Sequence, residues 1–135
     1  VWLELSNLVV PTLSDDPVDI RAFCTWIVET IGPDVPLHFL RFHPQYLLTA
    51  MPPTPIETLV AARAAALEAG LRHVYVGNVP GHAAEHTYCP SCRSVLVERE
   101  GFRIAANRIE AGRCFKCGNA IAGVWDNLRR PRRLG

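Results

Sequence analysis

The sequence lacks any apolar run of the ~20 residues that a membrane-spanning helix needs, which excludes a spanning segment. It also lacks a secretion signal. The opening stretch VWLELSNLVV is apolar, but it contains Glu4 and has neither a basic lead nor a small-residue cleavage site. No initiator Met is present, and the chain opens as if within a strand, so we expect a piece of a longer protein. We expect a cytoplasmic location and no membrane partner.

The composition conceals two different halves. The 135 residues are 49% hydrophobic and 20% charged, which is typical of a globular protein and excludes disorder over the whole chain. Residues 1–85 contain four Arg and nine acidic residues, a net charge of −5, whereas 86–135 contain nine Arg and one Lys against four acidic residues, a net charge of +6. Because four of the five cysteines also lie in the basic half, we predict a boundary near residue 85.

The acidic half alternates strands with helices. Its strand-like apolar stretches are 2–10, 37–43 and 73–78. Asp16 followed by Pro17 indicates the start of the first helix, and a capping box from Thr54 to Glu57 indicates the start of the second. This order predicts an α/β fold of parallel strands with right-handed crossovers. Three strands make a small sheet, so we interpret 1–80 as the last part of a larger α/β domain.

Polar residues near the strand ends are candidates for ligand contact, because ligands of parallel α/β sheets bind at the carboxyl ends of strands. Alternation places Arg41 and His43 on the same face of the second strand as Leu37 and Phe39. Arg41 could bind a carboxylate, and His43 could donate or accept a hydrogen bond. The weaker candidates are Asn78, Glu4 and Ser6. The alternative is that these residues only bond to loops, with Arg41 paired to Glu4.

Two C-x-x-C pairs dominate the basic half. Cys89 and Cys92 are separated from Cys114 and Cys117 by 21 residues. Each pair can present two sulfurs from a tight turn, so together they predict a four-thiolate metal site, with zinc favoured and iron as the alternative. Strand-like residues on both sides of Glu100-Gly101 predict a hairpin between the pairs. Disulfides would need an oxidising compartment, and neither pair opens a helix as a redox motif usually does.

The metal site defines the remaining boundaries. We predict a linker over 81–88, a zinc-ribbon-like module over 89–125 and an Arg-rich tail over 126–135. The basic half could bind nucleic acid, which is the alternative function for a small α/β domain with a zinc ribbon. Since the aromatic platforms of nucleic-acid readers are absent, we do not expect that partner.

The other cysteine and histidine residues have no partners at ligand spacing. We interpret Cys24 as a buried, inert thiol and His38 and His73 as structural. His82 and His86 precede the first cysteine pair, but no thiolate ligand is missing for them to replace.

Several stretches together resemble a known family. LHFLRFHP, YVGNVPGH, TYCPSC and CFKCG followed by GVW are similar to the C-terminal part of the radical SAM enzymes of the AmmeMemoRadiSam system, relatives of the pyruvate formate-lyase-activating enzymes. The resemblance covers nearly the whole chain except the Arg-rich tail. It implies a partial (β/α) barrel that binds S-adenosylmethionine and a four-iron four-sulfur cluster and generates a 5′-deoxyadenosyl radical, with an unknown substrate.

One feature of that family is missing. The cluster-binding motif C-x-x-x-C-x-x-C does not occur in this chain. In the family it lies far upstream, so the resemblance implies that this chain holds the last barrel strands and is inactive alone. By the same resemblance, His43 matches a strand-end histidine that approaches the cofactor in activating enzymes.

Overall fold

The structure, a computed structural model, describes residues 1–125, and the predicted Arg-rich tail 126–135 lies outside the described residues. The elements of the acidic half are β1 (Leu5–Val9), α1 (Pro17–Thr30), β2 (Leu37–Arg41), α2 (Ile56–Ala69) and β3 (Val74–Gly77). The three strands form one parallel sheet in the order β1-β2-β3. This confirms the predicted order and direction of the strands. Each strand is shorter than the apolar stretch that indicated it.

Helix α1 begins as predicted. Asp16 is its N-cap residue and adopts an extended backbone, and its Oδ1 accepts hydrogen bonds from the Val18 and Asp19 amides at 2.7 and 3.3 Å. Pro17 follows in the first turn, where backbone N–H groups have no partner within the helix, so the missing N–H of proline costs no helical hydrogen bond. Ile20, Cys24 and Ile27 are the buried residues of the helix, and Cys24 is confirmed as a buried free thiol.

The capping box predicted for α2 is wrong. Pro55 is the N-cap residue, and no side chain caps the helix. Thr54 is instead fully buried, and its hydroxyl donates to the Val9 carbonyl at 2.5 Å and accepts from the Phe42 amide at 2.8 Å. The hydroxyl therefore ties together the ends of β1 and β2, and it is not free to turn toward Glu57.

Both helices cover the same face of the sheet. Leu37 and Phe39 of β2 are fully buried in a core that includes residues of α1 and α2. We expected this face of β2 to open toward a ligand, and that expectation needs correction because the helices cover it. Strand alternation separates the two faces of the sheet, but it does not tell which face the helices cover. The opposite face, which we call the open face, consists of Ser6, Leu8, His38, Leu40, Tyr75 and Gly77.

The basic half is a small β module. After a 3-10 turn (Ala83–Glu85), an antiparallel sheet forms from β4 (Thr87–Tyr88), β5 (Val95–Glu100) and β6 (Arg103–Asn107) in that order. β7 (Ile109–Glu110) and β8 (Arg113–Cys114) form a second, two-stranded sheet. The predicted hairpin is confirmed, with Gly101 at its turn in the left-handed region, φ 61°. The predicted linker over 81–88 needs correction, since β4 already pairs with β5.

Candidate metal centre and ligand-facing residues

The four cysteines of the two C-x-x-C pairs converge. Their sulfur atoms all lie within 4.8 Å of one another. Cys89 Sγ is 3.6 Å from Cys117 Sγ, and Cys92 Sγ is 3.7 Å from Cys114 Sγ. Zinc–sulfur bonds of about 2.3 Å in a tetrahedron place neighbouring sulfurs about 3.8 Å apart. A disulfide would need about 2.05 Å. The cluster therefore fits a single tetrahedral metal ion.

Each pair is shaped by a tight backbone turn. In the first, the Arg93 amide donates to the Cys89 carbonyl at 2.9 Å, and in the second the Gly118 amide donates to the Cys114 carbonyl at 2.9 Å. Both donors have left-handed backbones, with φ of 62° at Arg93 and 74° at Gly118. The sequence indicated this turn at Gly118 only, because glycine adopts it without strain.

The thiols differ in acidity. Burial raises the pKa of the Cys89 thiol to about 11. Hydrogen bonding between Cys92 Sγ and the Ser94 hydroxyl, 3.3 Å apart, lowers the pKa of the Cys92 thiol to about 6. Hydrogen bonding from the Cys117 backbone lowers the pKa of Cys114. Since metal ligation requires the thiolate, binding of an ion must displace a tightly held proton at Cys89, which makes the affinity dependent on pH.

Three of the predicted ligand-facing residues meet at the carboxyl ends of β2 and β3. The Asn78 side-chain amide donates to the Arg41 carbonyl at 3.1 Å, and His43 Nε2 lies 3.4 Å from the Asn78 carbonyl oxygen. The Arg41 side chain points elsewhere, because its Nε donates to the Thr54 carbonyl at 2.8 Å. The structure thus brings His43 and Asn78 together at this edge, and it places the Arg41 guanidinium against a loop.

The other two candidates lie away from that edge. Glu4 precedes β1, at the opposite end of the strands, and accepts hydrogen bonds from His38 at 2.9 Å and from the Trp2 indole at 3.0 Å. It does not pair with Arg41 as the alternative reading proposed. Ser6 is exposed on the open face. Because five strand residues span about 16 Å, the five candidates do not form one site.

A stack of side chains that the sequence did not indicate connects the sheet to the β module. His38 and Tyr75 are paired across β2 and β3, and their rings stack with centroids 4.8 Å apart. The Arg99 guanidinium of β5 also lies over the Tyr75 ring, 5.4 Å from the ring centroid. The Tyr75 hydroxyl lies 3.0 Å from Thr87 Oγ1, which also accepts from Arg99 Nη1 at 2.8 Å. In the sequence, this stack is indicated only by strand alternation, which places His38 of β2 and Tyr75 of β3 on the same face of the sheet.

Comparison with curated proteins finds a relative of this chain. The chain is 48% identical over 123 residues to the uncharacterized protein MJ0808 of Methanocaldococcus jannaschii, a match that covers 90% of this chain. The chain spans 37% of the length of that relative. No known protein family and no solved structure matches the chain. Within residues 1–125, neither helix is long and apolar enough to cross a membrane.

Proposed function

We propose that this chain is the C-terminal part of a radical SAM enzyme similar to those of the AmmeMemoRadiSam system, and that its four cysteines hold a structural zinc ion. The observation that supports the proposal best is the one-sided sheet. Right-handed crossovers between parallel strands added in one direction place both helices on one face, as in any consecutive stretch of a (β/α) barrel and also in one half of a doubly wound sheet. The parallel strands β1, β2 and β3 with both helices on one face match the barrel arrangement.

The size of the relative is consistent with this proposal. The match covers only 37% of MJ0808, so a protein of that length has room for further barrel strands and for a cluster-binding motif. When bound, S-adenosylmethionine and a four-iron four-sulfur cluster would supply a 5′-deoxyadenosyl radical. The residues of this chain would bind and orient the cofactor, with His43 at the strand ends and Asn78 holding the adjoining backbone.

The four-cysteine centre has a separate, structural role in the proposal. Four protein ligands complete a tetrahedral site and leave no open position for a substrate, which is typical of structural zinc. We propose that all four of these thiolates bind the metal ion. The fifth cysteine, Cys24, is buried and does not belong to this cluster. This chain therefore has no cysteines with which to bind the radical-generating cluster.

The experiment compares this chain with the complete protein. The reading frame upstream of residue 1 should encode C-x-x-x-C-x-x-C. The complete protein, reconstituted anaerobically with iron and sulfide and reduced with dithionite, should convert S-adenosylmethionine to 5′-deoxyadenosine. The 135-residue chain treated identically should produce none. Robust production by the short chain, or a complete protein without the motif, contradicts the proposal.

Nucleic-acid binding through the basic half is less well supported. Arg108 pairs with Glu98, Arg103 pairs with Glu100, and Arg99 lies over Tyr75. Each of these arginines has an acidic or aromatic neighbour within the protein, which offsets part of the positive charge of the basic half.

A further inference from the structure

A pocket lined by two arginines lies where helix α2 meets the 3-10 turn and the first cysteine pair. Its volume is about 300 Å³, at the lower end of the range of small-molecule sites. Val60 and Arg63 of α2 line it, together with His82, which precedes the 3-10 turn, and Arg93, which follows Cys92. Of the residues that the structure describes, none from β1, β2 or β3 and no cysteine lines this pocket. The arginine pocket, as we call it, is therefore separate from the open face of the sheet and from the metal centre.

The polar groups of the arginine pocket are hydrogen-bond donors. Arg63 Nε donates to the Val74 carbonyl at 3.0 Å, whereas its two Nη atoms have no partner within residues 1–125 and are not buried, so they are open to solvent. Arg93 is exposed and forms no salt bridge with any described residue. His82 Nδ1 accepts from the Ala84 amide at 3.0 Å, so the proton of the neutral imidazole lies on Nε2, which is a donor.

No group that lines the pocket balances its two positive charges. None of the lining residues is acidic. The hydroxyl proton of Tyr88 is used within the protein, because it donates to the Ala83 carbonyl at 2.9 Å. Burial lowers the pKa of the Arg63 guanidinium, and the positive charge of Arg93 acts in the same direction, so the two arginines are close enough to repel each other. An anion bound between them would remove this repulsion.

The backbone at Arg93 is one that glycine adopts more easily. Its φ is 62°, and the corresponding position of the second cysteine pair is occupied by Gly118, with φ 74°. Glycine has no Cβ and takes up this left-handed conformation without strain, whereas arginine does not. The first turn therefore carries an arginine side chain into the pocket from a position where the fold alone favours glycine.

We propose that the arginine pocket binds a phosphate group, either as free phosphate or as the monoester of a small molecule. A phosphate monoester offers three acceptor oxygens and about two negative charges. The donors of Arg63, His82 and Arg93 come from three separate segments, so they can bond to different oxygens of a tetrahedral anion. A carboxylate offers only two oxygens in one plane and a single charge. A nucleic-acid strand is disfavoured, because it needs cationic groups spread along its backbone, whereas these line one pocket.

The test titrates the zinc-loaded, ¹⁵N-labelled chain at constant ionic strength and pH and follows amide shifts by NMR. The probes are inorganic phosphate, phenyl phosphate, acetate and a single-stranded DNA oligonucleotide. We expect saturable shifts at the amides of Arg63, His82, Ala84 and Arg93, with phosphate binding about tenfold more tightly than acetate. Tighter binding of phenyl phosphate than of phosphate identifies a monoester as the ligand, and the reverse identifies free phosphate.

Three results overturn the proposal. The first is the absence of saturable shifts at these amides. The second is acetate, or the oligonucleotide per phosphate group, binding as tightly as phosphate. The third is an equal shift at the amide of Gly118, which would place the anion at the metal centre.

Two variants and a matched control locate the site. Arg93→Gly should weaken phosphate binding about ten- to a hundredfold. Since glycine favours the left-handed turn, this variant should keep its zinc content, and its free energy of unfolding should not fall. Arg63→Met should weaken binding by a similar factor, whereas Arg21→Gln, which removes an exposed arginine of α1 outside the pocket, should leave it unchanged. A folded Arg93→Gly protein that binds phosphate as tightly as the wild type contradicts the proposed site.

Discussion

The Thr54 hydroxyl is the most informative single group in the parallel sheet. Thr54→Val keeps the shape of the side chain and removes both the hydrogen bond to the Val9 carbonyl and that from the Phe42 amide. Val9 and Phe42 are themselves buried, so water does not replace the lost bonds. Each buried group left without a partner costs about 1–3 kcal/mol, so the two groups together predict a loss of about 2–6 kcal/mol in the free energy of unfolding.

Urea unfolding at saturating zinc measures this loss. Thr54→Ser retains the hydroxyl and should keep most of the stability, and Thr25→Val, on the exposed side of α1, should stay within about 0.5 kcal/mol of the wild type. Hydrogen exchange then shows where the loss occurs. We expect faster exchange at Phe42 and at the ends of β1 and β2. A Thr54→Val protein as stable as the wild type, or exchange confined to the first turn of α2 as a capping residue requires, refutes this account.

Three further predictions concern other parts of the molecule. Arg99→Met should lower the free energy of unfolding by about 1–3 kcal/mol in urea titrations, because it leaves the buried Thr87 hydroxyl without its charged donor. Burial lowers the pKa of His73, so as the pH drops below about 6.5 the unfolded chain binds a proton before the folded chain does, and the free energy of unfolding should fall. His73→Leu should reduce this dependence of stability on pH, and an unchanged dependence contradicts the prediction. On the proposed function, His43→Ala in the complete protein should weaken S-adenosylmethionine binding about ten- to a hundredfold in calorimetric titrations while the melting temperature stays nearly constant.

The order of elements was predictable because local signals determine it. Asp16 caps α1 in the structure as its sequence context indicates, and Gly101 turns the β5–β6 hairpin. The convergence of the four cysteines was also predictable, since two C-x-x-C pairs can share one ion. The helix cap and the hairpin turn depend on residues adjacent in sequence, and the convergence of the cysteines depends on their spacing in two pairs that one metal ion can join.

The features that the sequence did not reveal depend on distant contacts. Thr54 bonds to Val9, which lies 45 positions away, and this competes with the capping that its local sequence favours. Alternation groups Arg41 with Leu37 and Phe39, but only the packing of α1 and α2 determines that this face is covered. The stack of His38 and Tyr75 likewise requires the register between β2 and β3, which the side chains alone do not specify.

The metal content of the purified chain tests the central claim most directly. Elemental analysis should give about one zinc ion per chain, unchanged in Cys24→Ser and lost in Cys92→Ser. Because metal binding in small modules supplies on the order of 10 kcal/mol of folding free energy, removal of the ion by a chelator should also unfold the β5–β6 hairpin, seen as loss of its amide shift dispersion. Iron in the same stoichiometry would preserve the site and change the ion. A metal-free chain with an intact hairpin and four freely titratable thiols at Cys89, Cys92, Cys114 and Cys117 would contradict the account.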